Sequence, residues 1–222
     1  MTRRRRPAKA PLSRAAIIEA TLTLISAQGT RAVTLRAVAA ALETGPASLY
    51  AYFANRDDLL YAALDAVYER CPLPPAGLGG DWRVALAASL SGTIDALASY
   101  PGLGSVALGT VQLGPGAMRI SEHLLMLMQL GGVPDETAVL ALDLFALFVA
   151  ASAVEHSAPM RAVGAGARRR QDLAQQVSQA YAEAAPERYP RLHALSGKLP
   201  DADEPARSRF AINTLINGIT LA

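Results

Sequence analysis

Apolar positions recur at helical spacing from residue 13 onward, and no stretch shows the period-two alternation of a half-buried strand. Ser13 can cap a first helix over residues 13–28, whose apolar series Ile17, Ala20, Leu24 and Ile25 ends before Gly29, a common helix stop. Thr34 can cap a second, in which Leu35, Val38, Ala39 and Leu42 fall at i, i+3, i+4 and i+7 and form one buried stripe. Pro46 suits the first turn of a third helix, where its missing N–H would have no partner anyway, with Gly45 or Thr44 as the cap. Leu49 and Phe53 then face inward and leave Ala47, Ser48, Tyr50 and Tyr52 outside. A fourth helix starts at Asn55, carries Leu59, Leu60, Leu64, Val67 and Tyr68 as its apolar positions, and ends near Cys71 and Pro72.

Residues 72–80 are dense in proline and glycine and mark a boundary. Beyond it the pattern predicts helices over residues 81–99, 101–110, 115–130, 134–156, 168–184 and 205–221. Pro101, Pro115, Pro134 and Pro205 each stand where a helix can begin, and Gly131 with Gly132 closes one. Residues 160–167 and 197–204 read as mobile loops. The expected fold is all-α and divides into a basic arm (1–12), a three-helix domain (13–54), a connecting helix (55–71) and a larger helical domain (72–222).

With 51% hydrophobic residues, the 222-residue chain has ample material for a core. The longest apolar run, residues 138–154, is short for a bilayer span and carries Asp143 in its middle, so it reads as a buried helix and no membrane segment is expected. The basic N-terminus lacks the apolar stretch of an export signal, which points to a cytoplasmic protein. A lone cysteine, Cys71, excludes an internal disulfide and a cysteine zinc site and suits a small apolar filler. Charge changes the picture more. Residues 1–70 hold ten Lys/Arg against six Asp/Glu, whereas residues 71–222 hold eleven against thirteen. A basic end on an otherwise acidic chain is the footprint of a partner that is a polyanion. Arg3, Arg4, Arg5, Arg6 and Lys9, set between prolines, form either a solubilising tail or an arm that follows phosphates or enters the minor groove.

Two helices joined by a short turn let the second lie in the major groove of double-stranded DNA. At the turn, Thr34 and Gly45 cap the two helices, Ser48 can bond a base edge or phosphate, and Pro46 and Ala47 can pack on thymine methyls. Tyr50 and Tyr52 can donate to phosphates, Arg36 can read guanine, and Arg56 with the backbone N–H of Leu35 can position the duplex. The competing reading is that the two tyrosines cover a small core and Arg36 is merely solvated. His123, His156 and His193 show no metal-binding spacing, and Glu155 and His156 are adjacent and so diverge on a helix, which leaves no expected metal or cofactor. His123 reads as a core or interface histidine, and Arg168 to Arg170 as a solvated face or an inter-subunit contact. No GxSxG elbow, P-loop or GxGxxG supplies a catalytic residue.

Thr34, Val38, Ala39, Leu42, Leu49, Tyr50, Phe53, Asn55, Arg56, Leu59 and Leu60 together resemble the helix-turn-helix signature of the tetracycline-repressor (TetR) family over residues 13–70. The chain departs from it at Glu43, where the family usually has glycine, and at Tyr52, often histidine. The resemblance implies a homodimer on a palindromic operator, released by a small molecule held in the C-terminal domain. That domain resembles the one of the tetracycline repressor at Trp82, Tyr100, Leu108 to Thr110, Glu122, Gly132, Glu155 and residues 210–219. It implies a ligand cavity lined by Ser89, Thr93, Thr110, Leu124, Phe145, Phe148 and Glu155. Where tetracycline repressors place a magnesium-binding histidine, this chain has Ala107, so the expected effector is not magnesium-tetracycline but a more apolar molecule. The helices at 134–156 and 205–221 are expected either to pair with their copies in a four-helix dimer interface or to form the domain's own core. The function expected is a ligand-responsive regulator, a repressor in the first instance, in which ligand binding moves the fourth helix and changes the separation of the two recognition helices. A ligand-insensitive activator or scaffold stays open, as does an enzyme or small-molecule carrier with a vestigial helix-turn-helix.

Overall fold

A computed structural model describes residues 12–75, 81–157, 165–198 and 204–220. The basic arm, with Arg3, Arg4, Arg5 and Arg6, lies outside the described residues. Eleven α-helices follow one another with no strand among the described residues: α1 (Arg14–Gln28), α2 (Leu35–Ala41), α3 (Pro46–Leu49), α4 (Arg56–Arg70), α5 (Trp82–Ala98), α6 (Leu103–Leu108), α7 (Pro115–Leu130), α8 (Asp135–His156), α9 (Ala165–Ala182), α10 (Pro190–Leu195) and α11 (Glu204–Gly218). Four helix starts are set by side chains that satisfy orphan N–H groups. Ser13, Thr34, Asn55 and Asp81 accept from the N–H groups of Ala16, Ala37, Asp58 and Arg83 at 3.2, 3.0, 2.8 and 2.9 Å. Pro46, Pro115 and Pro190 open α3, α7 and α10.

Some boundaries differ from the pattern-based reading. Helix α6 starts at Leu103 rather than at Pro101, because Gly102 takes φ +94° and breaks the chain direction there. Helix α9 begins at Ala165, inside the stretch expected as a loop, and α10 was hidden in a polar, proline-bounded segment that gave no apolar period. A short 3-10 turn at Thr30–Ala32 also had no periodic signal.

Helices α1 to α3 close over Ile17, Ile25, Val33, Val38, Leu49 and Phe53, all nearly or fully buried. Helix α4 completes that small core with Leu59 and Leu60, while packing also on α5, α6 and α7. It therefore belongs to both halves. The larger half is a bundle of α5, α6, α7 and α8, with α11 laid against α5. Helix α8, at 22 residues, is long and apolar enough by length and composition alone to cross a bilayer, a test that the core helix of a soluble bundle also passes. Here it packs on α5, α6 and α7 through Ala138, Ala141, Phe145, Val149 and Ala153 and turns Val139, Leu140, Leu144 and Leu147 outward.

Candidate nucleic-acid interface and effector cavity

Arg36, Gly45, Pro46, Ala47, Ser48 and Tyr50 all stand exposed on the α2–α3 unit. The turn between the helices holds Glu43 at φ +51°, a left-handed conformation that glycine adopts without penalty and that a Cβ resists. The backbone thus takes the shape that a glycine would give, with a glutamate carrying the strain. Ser48 Oγ accepts from Thr44 Oγ1 at 3.4 Å, which leaves its own proton to donate outward. The Thr34 hydroxyl oxygen is occupied as the α2 cap, and Leu35 is buried.

Two of the sequence-predicted phosphate contacts are engaged within the domain. The Tyr52 hydroxyl donates inward to the Leu12 carbonyl at 2.8 Å, and Arg14 Nη1 donates to the Tyr52 carbonyl at 2.9 Å while its guanidinium lies 4.3 Å from the Phe53 ring centroid. Tyr52 anchors the start of α1 rather than presenting a free donor. Arg56 Nε and Nη2 donate to the carbonyls of Val33 and Thr30, both at 2.8 Å, and lock the 3-10 turn onto the start of α4. Its remaining Nη1 lies 3.5 Å from the exposed Asp57 Oδ1, so one arm of the fork stays at the surface.

In the larger half, α5, α7, α8, the end of α6 and the segment after it, with Tyr68 of α4, line a partly open cavity of about 590 Å³. Thr93, Thr110, Leu124 and Phe145 line it, as the resemblance implied; Ser89, Phe148 and Glu155 do not. Ser89 is fully buried, donates to the Ala85 carbonyl at 2.8 Å and meets His123 Nε2 at 3.0 Å. Glu155 pairs with Arg207 at 3.1 Å. Phe148 packs against the core. Sequence reading missed Leu90, Ile120, Leu142 and Val149 in the walls, although Leu142, Phe145 and Val149 repeat at helical spacing. It also missed Gln112, Ser121, Asp143 and Tyr68. Burial, with smaller contributions from Cys71 and Asp65, pushes the Tyr68 phenol up to about 12, so it stays a neutral donor. Ala107 lines the cavity with a methyl group.

Two contacts bind α4 to the cavity wall α7. Asp65 Oδ1 accepts from the Ala117 N–H at 3.0 Å, and Arg119 Nη2 donates to the carbonyls of Tyr68 and Cys71 at 2.8 and 2.6 Å. A carboxylate thus sits at the start of α7 and a cation at the end of α4, each complementing a helix dipole. Gly116 permits the approach, because a Cβ there would collide with the Asp65 carbonyl and lie 2.7 Å from the Glu69 nitrogen. A further link joins the halves where Thr30 N–H donates to the Pro101 carbonyl at 2.9 Å.

Comparison with known proteins places both halves. Residues 17–63 match the family model described as bacterial regulatory proteins, tetR family, and residues 72–221 match the tetracyclin repressor-like, C-terminal domain. The HTH-type transcriptional repressor DrrR1 of Streptomyces coeruleorubidus is 35% identical over 153 residues, covering 67% of this chain and 56% of that protein's length. Apo ActR from Streptomyces coelicolor has a similar structure, with TM-score 0.82 at 29% identity over 96% of both chains. ActR in complex with actinorhodin gives TM-score 0.84 at 29% identity over 95% of this chain and 96% of that one. On these matches and on the helix-turn-helix and helical regulatory halves described above, the chain belongs to the tetR family of bacterial regulatory proteins.

Proposed function

We propose that the protein is a cytoplasmic, ligand-responsive transcriptional repressor that binds a palindromic DNA operator as a homodimer and leaves it when a small organic molecule occupies the cavity. The carrying observation is the double membership of α4. Its first half completes the core beneath the recognition face, and its second half both lines the cavity through Tyr68 and is tied to the cavity wall through Asp65 and Arg119. A ligand that repositions α7 therefore moves α4, and α4 carries the helix-turn-helix with it. Arg36, Pro46, Ala47, Ser48 and Tyr50 form the DNA-reading set, with the arm residues Arg3 to Arg6 adding phosphate contacts. Val139, Leu140, Leu144 and Leu147 on α8 and the 75%-exposed Phe210 on α11 supply an apolar face suited to a second copy. The crystallised complexes of ActR with actinorhodin and with (S)-DNPA support an organic effector for a cavity in this fold. Ala107 argues against magnesium-tetracycline, because its methyl group offers no metal ligand.

The test is a binding titration of the purified protein against DNA spanning its own gene, at several salt concentrations. Salt-dependent, sequence-selective binding that Arg36→Ala relaxes supports the reading; binding without selectivity, or selectivity untouched by that substitution, overturns it.

A further inference from the structure

Asp143 interrupts an apolar stretch of α8 that runs from residue 138 to 154, and it is exposed at the rim of the cavity. No ion-pair partner for it occurs among the described residues. The other described lining groups are neutral: hydroxyls of Thr93, Thr110 and Ser121, the Gln112 amide, the Tyr68 phenol and hydrocarbon. No lysine, arginine or histidine is among them. An anionic ligand would exchange water for an apolar wall with no positive partner and would meet a like charge at the rim, whereas a cation keeps an opposite charge beside it.

Resting on the cavity being the effector site, we propose that the effector is an apolar cation: a hydrocarbon or ring body set between Leu124 and Phe145, with its positively charged nitrogen at the mouth against the Asp143 carboxylate. The phenol of Tyr68, fixed in its neutral form by burial, adds a donor for a neutral acceptor on that body and no charge of its own. Because the carboxylate is partly solvated, its contribution is of the size of a screened ion pair, enough to select charge sign but not to hold the ligand alone. The α8 position also makes Asp143 cheap to alter, since its side chain holds up no packing.

The experiment uses two dyes of one ring frame, rhodamine 6G as a cation and fluorescein as a dianion, titrated against the full chain by fluorescence anisotropy. Wild type is expected to prefer rhodamine 6G by about tenfold, and Asp143→Asn to reduce that preference about fivefold by weakening the cation alone. Equal or tighter binding of fluorescein, or a preference that Asp143→Asn leaves intact, overturns the inference. Ala146→Trp, which plugs the mouth from the same helix, separates the two levels of the reading. If it abolishes dye binding while the charge preference is absent, the cavity stands and the cation fails. If both dyes bind it as they bind wild type, the cavity itself is not the site.

Discussion

The Asp65 carboxylate on the connecting helix accepts the Ala117 N–H at the first turn of α7, at 3.0 Å, although the two residues are 52 positions apart. A cap supplied by another helix fixes the axial position of α7 against α4, which an intrahelical cap could not do. Arg119, two residues further along α7, donates in return to the carbonyls at the end of α4. Asp65→Ala should cost about 1 kcal/mol in urea unfolding. It should also weaken ligand-induced release of DNA more than ligand binding itself. Arg119→Ala should act alike, and the double variant should lose less than the sum, because both residues hold one contact. Additive losses with an unchanged release curve would falsify the role assigned to this pair.

Arg36 and Arg56 should separate cleanly in their effects. Arg36 is exposed on the recognition face, so Arg36→Ala should leave the unfolding midpoint near wild type and reduce discrimination at one base position by about 1–3 kcal/mol. Arg56 is bonded to the Val33 and Thr30 carbonyls, so Arg56→Ala should lower stability by about 1–3 kcal/mol and leave the salt dependence of the remaining DNA binding unchanged. Thermal unfolding and operator titrations on the same two variants decide it. A reduced salt slope in Arg56→Ala would restore it as a phosphate contact.

That contrast shows where sequence was readable. Helix starts were legible because Ser13, Thr34, Asn55 and Asp81 make short-range bonds that spacing predicts. The inward set Leu49 and Phe53 followed from the same local logic. Arg56 and Tyr52 were not legible, since their partners are carbonyls 23 to 40 residues away and a carbonyl has no sequence signature. The cavity was half legible for a related reason. Thr93, Leu124 and Phe145 face it, but whether Ser89 turns into the cavity or toward His123 depends on how α5 and α7 rotate against each other. Periodicity measures neither.

The buried contact between His123 and Ser89 should make stability pH-dependent. Burial, aided by the nearby Arg119 charge, holds the folded imidazole below its ordinary value of 6.5. As pH falls below 6.5 the unfolded chain takes up a proton that the folded state resists, so stability declines until the folded value is reached. Above 6.5 both states are neutral there and this contribution to the pH dependence vanishes. His123→Asn should flatten the decline in urea midpoint on the acid side while costing some stability at neutral pH. An unaltered acid slope would assign the decline to other groups.

Gly102 and Thr30 meet where the start of α6 touches the helix-turn-helix half. Gly102 holds φ +94°, and a Cβ built there would collide with the Thr30 hydroxyl, while Thr30 N–H bonds the Pro101 carbonyl beside it. Gly102→Ala therefore carries two penalties. The backbone strain alone is about 1–2 kcal/mol, and the collision adds to it. Thr30→Ala should remove the collision but not the strain, so the double variant should be less destabilised than the two single losses predict, by more than about 0.5 kcal/mol. Because α6 ends in the cavity-lining residues Ala107 and Leu108 and runs on into Gly109 and Thr110, Gly102→Ala should also shift the effector concentration needed to release DNA, and Thr30→Ala in the same chain should move it back. Losses that simply add, with effector response unmoved, would mean that this contact holds the two halves together without passing the ligand's signal between them.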